Sequence, residues 1–156
     1  MSINIVLYQP EIPPNTGNIA RSCAITGTKL HLIKPLGFSI DDKTLKRAGL
    51  DYWDYLELEV HEDEEAFFTK YGNKKLYFAT TKATKYYDEQ TFEDDCFIIF
   101  GKETSGLPQH IHDAYPEMRF KIPMKSHEHL RSLNLSNAVA IVLYEALRQN
   151  DFYGLK

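Results

Sequence analysis

Ile122-Pro123-Met124, then Ser132-Leu133-Asn134-Leu135-Ser136-Asn137 running into Ala138-Val139-Ala140-Ile141-Val142-Leu143-Tyr144-Glu145-Ala146-Leu147, is the stretch on which the reading of the chain turns. A short apolar strand ends at a proline, a polar loop follows, and a helix starts under a Ser/Asn cluster whose side chains can accept the free amides of its first turn. Leu135, Ala138, Val139, Val142 and Ala146 fit one helical face, yet Ile141, Leu143 and Leu147 load the other sides. A helix apolar nearly all round must be covered on more than one side. In so short a chain that predicts a subunit interface as well as a core, with a ligand where sheet, loop and interface meet.

Working outward, apolar strands alternate with helices. Cys96–Phe100 is the most apolar run and is expected at the centre of a sheet. Ile3–Tyr8 reads as the first strand, and Gln9–Pro14, with its three prolines, as extended or turned chain that cannot be helix. Asn15-Thr16 is expected to cap a helix over Gly17–Thr26, stopped by Gly27, before a second strand at Leu30–Ile33. Asp41-Asp42 would cap a basic helix, Lys43–Ala48. Leu58–Val60, Lys75–Ala79 and Met118–Ile122 read as further strands, Glu62–Tyr71 and Pro108–Ala114 as helices. The alternation predicts an α/β fold, one domain over residues 1–156, with a mainly parallel sheet and helices on both faces.

Composition narrows the function. Of 156 residues, 43% are hydrophobic, enough for a real core. No apolar run approaches the roughly 18 residues of a membrane span, and no signal-peptide pattern opens the chain. Two cysteines within apolar segments, Cys23 and Cys96, predict a reduced cytoplasmic protein. A net charge of −4 means that any nucleic-acid partner must be met by a local basic patch. His127-Glu128-His129, His110 and His112 have no third ligand at zinc spacing, so no metal is expected.

In open α/β sheets ligands sit beyond the carboxyl ends of the strands. Here those ends read Thr80-Thr81-Lys82, Gly101-Lys102-Glu103-Thr104-Ser105-Gly106-Leu107-Pro108, and Pro123–Asn137. The middle one is neither a P-loop nor a dinucleotide fingerprint, and two glycines after a strand are by themselves usually turn chemistry. Asn15, Asn18 and Arg21, spaced i, i+3, i+6, are expected on roughly one helix face, with Arg21 pairing with a carboxylate or phosphate. Lys43, Lys46 and Arg47 beside His31 and Lys34, and Lys82, Lys85, Lys125 and Arg131 near the ligand loops, are candidate phosphate contacts, although a basic surface helix is more often merely solvated. Tyr52, Trp53 and Tyr55 are expected in core or dimer packing rather than as base-stacking platforms.

Taken together, NTGNIAR, FGKETSGLP and IPM…SLNLSNAVAIVLYE resemble the three motifs of the SPOUT (SpoU–TrmD) RNA methyltransferases. NIVLYQPEIPPNTGNIAR and RAGLDYWDY are similar to the short TrmL/YibK-type branch. The match covers nearly the whole chain. The resemblance implies a C-terminal deep trefoil knot, S-adenosyl-L-methionine bound in it, and a homodimer. It implies 2′-O-methylation of the wobble nucleotide, position 34, in the anticodon loop of tRNA-Leu-like substrates, at cytidine or a carboxymethylaminomethyl-type uridine. It assigns Ala79, Thr80, Gly101, Glu103, Gly106, Leu107, Ile122, Met124, Ser132, Leu133 and Asn137 to the cofactor, and Arg21, Asn134 and Ser136 to catalysis. RNA contacts would come from Asn15, Asn18, Lys43, Lys46, Arg47 and Arg131. Glycine at 101 would let the backbone approach the ligand. Arginine stays protonated, so Arg21 would orient the hydroxyl and stabilise its developing charge. The competing readings are a ribose methyltransferase for another RNA, or an RNA-binding module without chemistry. A Rossmann-type metabolic enzyme lacks its fingerprint.

Overall fold

A computed structural model describes residues 1–43, 45, 47, 52–130 and 132–156. Six parallel strands form one sheet: β1 (Asn4–Tyr8), β2 (Lys29–Ile33), β3 (Leu58–His61), β4 (Leu76–Ala79), β5 (Phe97–Phe100) and β6 (Arg119–Phe120), in the order β3-β2-β1-β5-β4-β6. The expected central run, β5, pairs with β1 on one side and β4 on the other, and all four of its residues are buried. Such strands carry apolar residues on both faces because helices cover both.

The period-two alternation of the strands sorts the core into two layers. Ile5, Leu7, Ile98 and Phe100 point toward α1 (Pro13–Thr26) and the C-terminal helix α4 (Leu135–Gln149), packing on Ile19, Cys23, Val139, Val142 and Leu143. Val6, Tyr8, Phe97 and Ile99 point the other way, into a layer with Phe67 of α2 (Glu64–Tyr71) and Ile111 of α3 (Gln109–Ala114). Asp63 caps α2 by accepting from the Ala66 amide at 2.7 Å. Both cysteines are buried and unpaired. No helix among the described residues is long and apolar enough to cross a membrane.

The structure departs from the sequence reading at several points. Helix α1 begins at Pro13, with both prolines in its first turn. The first amides of a helix have no internal partner, so proline loses nothing there and its fixed φ suits the start. Gly27 ends that helix in the left-handed conformation, φ 68°. Met118 lies in a 3-10 turn, Pro116–Met118, and the last strand is only Arg119–Phe120. Beyond it Lys121 leaves β4 for another segment, accepting from the Tyr87 amide and donating its own to Lys85 O, each at 2.8 Å.

The surface of α4 also sorts differently. Val142 and Leu143 are fully buried within the single chain, whereas Ile141 and Tyr144 stay 38% and 44% exposed. His31, expected beside a basic helix, is fully buried in β2. Of that helix, Asp42 Oδ1 accepts from the Leu45 amide at 3.2 Å, while Thr44, Lys46 and Ala48 lie outside the described residues.

Candidate ligand cavity

The register brings the carboxyl ends of three strands level: Ala79 pairs with both Phe100 and Phe120. The segments that leave these ends, with the loop before α4, enclose a cavity of about 550 Å³. That is the size of a small-molecule site. Phe100, Leu107, Ile122, Met124, Leu133, Leu135 and Ala138 give it apolar walls, and Thr80, Thr81, Lys82, Lys102, Glu103, Ser132 and Asn134 supply polar groups.

Asn134 builds one side. As the N-cap of α4 its Oδ1 accepts from the Ser136 amide at 2.9 Å, the Ser136 hydroxyl at 2.6 Å and the Asn137 amide at 3.3 Å. Its Nδ2 donates to Asn15 Oδ1 at 3.1 Å, and Asn15 Nδ2 reaches Glu103 Oε2 at 3.4 Å. One chain of hydrogen bonds thus joins the starts of α1 and α4 to the loop after β5.

Glu103 closes the other side. Its carboxylate accepts from the amides of Glu11 at 3.0 Å and Ile12 at 2.8 Å, the two residues that lead into the prolines opening α1. Glu11 returns the grip: its Oε1 accepts from the Thr104 hydroxyl at 2.7 Å and amide at 3.2 Å, bonds that lower its carboxyl pKa. Lys102 Nζ donates to Gln9 Oε1 at 3.3 Å. Two carboxylates therefore clasp the segment 9–12 to the loop 101–107.

Gly101 has a structural reason of its own. A Cβ there would run into the backbone of Gly106 and Leu107, so the glycine lets the loop close on itself. Gly106 sits at φ +70°, and its amide donates to Lys102 O at 2.9 Å, completing the turn.

The expected site residues divide clearly. Ala79, Thr80, Gly101, Glu103, Gly106, Leu107, Ile122, Met124, Ser132, Leu133 and Asn134 all line the cavity. Asn137 and Ser136 do not, being drawn into the cap of α4. Asn15 lines the cavity at 8% exposure, while Asn18 and Arg21 lie on the exposed face of α1. Six residues along a helix turn the side chain by about 120° from the start, so the three do not share a face. Arg21 stacks over Tyr52, 4.7 Å from the ring centre, and donates to its hydroxyl at 3.3 Å. Lys43 and Arg47 are exposed away from the cavity; Lys46 and Arg131 lie outside the described residues.

Sequence reasoning missed His112, which lines the cavity though 4% exposed. Burial, helped by the charges of Lys82 and Arg119, holds its imidazole pKa below the ordinary value. Arg119 Nη1 donates to its Nδ1 at 3.3 Å.

A second polar cluster lies at the far edge of the sheet. His31, His61 and Glu59 place possible metal-ligand atoms within 4.8 Å of one another. Those atoms are already engaged. Glu59 accepts from Lys70 at 2.8 Å, Lys29 at 2.9 Å and Tyr71 at 2.7 Å. His31 Nε2 donates to Asn4 Oδ1 at 3.1 Å, so its Nδ1 accepts from His61 Nε2, also at 3.1 Å. With two ammonium groups on one carboxylate, the cluster is electrostatically complete without a cation.

The cavity's size, apolar walls and mixed-charge polar rim fit a zwitterionic nucleoside such as S-adenosylmethionine. The family described as the SpoU rRNA Methylase family matches residues 2–144. A tRNA (cytidine(34)-2′-O)-methyltransferase of Methylovorus glucosotrophus (strain SIP3-4) is 53% identical over 152 residues, covering 97% of each chain. A solved structure described as giving structural insights into the 2-OH methylation of C/U34 on tRNA superposes with a TM-score of 0.90 at 40% identity, over 96% of this chain and 97% of that one. The SpoU methyltransferase AviRb of Streptomyces viridochromogenes, solved in complex with the cofactor AdoMet, shares the fold at TM-score 0.81 and 21% identity, over 96% of this chain and 58% of that one.

Proposed function

The chain belongs to the SpoU methylase family, and from that premise we propose that it methylates the ribose 2′-hydroxyl of the wobble nucleotide, position 34, of tRNA, at cytidine or a modified uridine, with S-adenosylmethionine as donor. The observation that carries this reading is the cavity: the three segments that resemble the family motifs meet there, at the carboxyl ends of β4, β5 and β6. S-adenosylmethionine supplies an electrophilic methyl group on a sulfonium centre.

The chain's own share is positioning. Leu107, Ile122, Met124 and Leu133 form the walls for an adenine, and the clasp of Glu11 and Glu103 holds the loop that carries Leu107. Aligning a ribose oxygen with a bound methyl group removes most of the entropic part of the barrier. A guanidinium beside that oxygen stabilises the charge it develops as its proton leaves. Arg21 does not line the cavity of its own chain. On this reading a homodimer completes the site, with the partner subunit's Arg21 facing the ribose and the exposed apolar pair Ile141 and Tyr144 in the contact. The C-terminal segment forms the knot that the family resemblance implies, the chain is one domain, binding needs no metal, and the enzyme works in the cytoplasm, where tRNA is modified.

The test is transfer of labelled methyl to a tRNA anticodon stem-loop, beside the same RNA with 2′-deoxyribose at position 34. Methylation of the first and not the second is expected and should persist in chelator. Equal labelling of both would sink the wobble assignment, and binding without transfer would leave an RNA-binding module.

A further inference from the structure

Beside the cavity, and sharing Thr81, Ile122 and Met124 with it, lies a second pocket of about 380 Å³. Lys121, Lys125 and His127 line it, together with Ser126. The backbone exchange between Lys121 and residues 85 and 87 builds this corner by pulling two basic segments together. The surrounding segments 79–89 and 117–130 carry five lysines and arginines (Lys82, Lys85, Arg119, Lys121 and Lys125) and four acids (Asp88, Glu89, Glu117 and Glu128), but the pocket's own lining holds Lys121, Lys125 and His127 and, among the described residues, no carboxylate. The lining is thus basic in a protein whose net charge is −4. Lys121 Nζ also lies 5.6 Å from the ring centre of Tyr86, a cation–π contact.

We propose that this pocket is a phosphate subsite, in which Lys121 and Lys125 hold a backbone phosphate of the RNA next to the ribose presented to the cavity. The inference rests on the methyltransferase reading and adds to it a place for the strand. Two ammonium groups, an imidazole and hydroxyls suit a phosphate oxyanion, and nothing in that set reads a base edge. The pocket therefore fixes the register of the strand without choosing its sequence. Lysine serves here as a point charge, so arginine should substitute at either position.

The experiment uses the full chain and an anticodon stem-loop in which each loop phosphate in turn is replaced by an uncharged methylphosphonate. Wild type, Lys121→Ala/Lys125→Ala and Lys121→Arg/Lys125→Arg are compared by RNA affinity over a range of salt, and by S-adenosylmethionine affinity without RNA. One linkage near position 34 should weaken wild-type binding several-fold and leave the alanine double variant unaffected. The slope of log K against log salt should fall by about 0.7 in that variant, the share of one single-strand phosphate. The arginine variant should keep wild-type behaviour, and cofactor affinity should not change in any of the three.

A neutral linkage that weakens wild type and the alanine variant equally at every position overturns the subsite while leaving the methyltransferase reading intact. An alanine variant with the wild-type salt slope does the same. Failure of the wild type to bind the unmodified stem-loop overturns both.

Discussion

Two polar clusters sit on this sheet, and they differ in what they leave open. At the edge formed by β2 and β3, Asn4, His31, His61, Glu59, Lys29, Lys70 and Tyr71 satisfy one another among the rings of Phe67 and Phe97. At the carboxyl ends of β4–β6, Ser136, Asn134, Asn15, Glu103 and Glu11 are just as connected, but Asn134, Asn15 and Glu103 of that chain line a cavity. Among the described histidines and carboxylates, the most displaced titrations fall in the closed cluster. Burial, then the Lys29 charge, holds the His31 pKa down at about 3. Burial pushes Glu59 up, yet hydrogen bonds from Lys70, Lys29 and Tyr71 outweigh it and keep its pKa well below the carboxylate range. Perturbed titration is a sign of function only where the groups still have something to bind. Here the closed cluster has its groups spent on one another, and the open cluster is the one that borders the proposed ligand cavity.

If the open region needs a second copy and the closed one does not, a charge on the exposed stripe of α4 should separate them. Ile141→Glu would bury an unpaired carboxylate in the proposed interface, at a cost of about 3–5 kcal/mol. The expected result is a monomer in sedimentation at micromolar concentration, with methyl transfer lost and the fold retained by circular dichroism. An active monomer would break the comparison.

Next in size is Arg21. A fixed donor aimed at developing negative charge is typically worth about 10²–10³ in turnover. Arg21→Ala should lose that much in single-turnover methylation at saturating tRNA and cofactor, with cofactor affinity unchanged. Arg21→Lys should rescue poorly, since an ammonium lacks the planar two-point grip. Near-normal rates at saturating tRNA would make Arg21 a phosphate anchor only.

The closed cluster should answer in stability alone. His31→Leu leaves Asn4 Oδ1 and the His61 N–H without their partner in a buried place, at about 1–3 kcal/mol for each orphaned group. Denaturant midpoints should drop while S-adenosylmethionine affinity holds. A parallel loss of cofactor affinity would mean that the two clusters are coupled through the sheet.

Acid should act on the same cluster. His31 ordinarily titrates near 6.5 and is held at about 3 in the fold, so between these values the unfolded chain binds a proton that the folded chain refuses. The stability it contributes is present above pH 6.5 and is lost as pH falls toward 3, with a slope of at most about 1.4 kcal/mol per pH unit. Protonated His31 would point an N–H at the His61 N–H, with Lys29 and Lys70 nearby and only Glu59 to offset them. Urea denaturation at pH 7 and pH 5 should show the fall, and His31→Leu should flatten it.

The two regions were not equally legible in the sequence. The parallel α/β sheet and the central place of Phe97–Phe100 follow from strand-length apolar runs, because helices on both faces demand them. The cavity loops were legible as motifs, but the reasons for their residues were not. Gly101 and Glu103 act on chain segments far away in sequence, and the closure of a loop onto itself has no local signature. The edge cluster was invisible for a related cause: parallel pairing sets His31 opposite Glu59 and Ile33 opposite His61, across about thirty residues. The apolar surround of α4 predicts cover on two sides, yet composition cannot say which side faces the protomer. Val142 and Leu143 turned out to be core, and Ile141 and Tyr144 the exposed pair.

The smallest expected effect is at Asn15, where the open cluster can be loosened without removing any group assigned to catalysis or to the cofactor. Its side chain bridges Asn134 at 3.1 Å and Glu103 at 3.4 Å. Both neighbours keep other partners: Asn134 still caps α4, and Glu103 still accepts from the Glu11 and Ile12 amides. Asn15→Ala therefore orphans no charge and should cost about 1 kcal/mol, the net value of an ordinary hydrogen bond. If that cost falls on the shape of the cavity rather than on the fold, cofactor affinity should drop about fivefold while the denaturation midpoint barely moves. Titration calorimetry with S-adenosylmethionine and urea denaturation on the same preparation separate the two. A loss carried wholly by the midpoint would show that the bridge holds the helices together and leaves the cavity to the Glu11–Glu103 clasp.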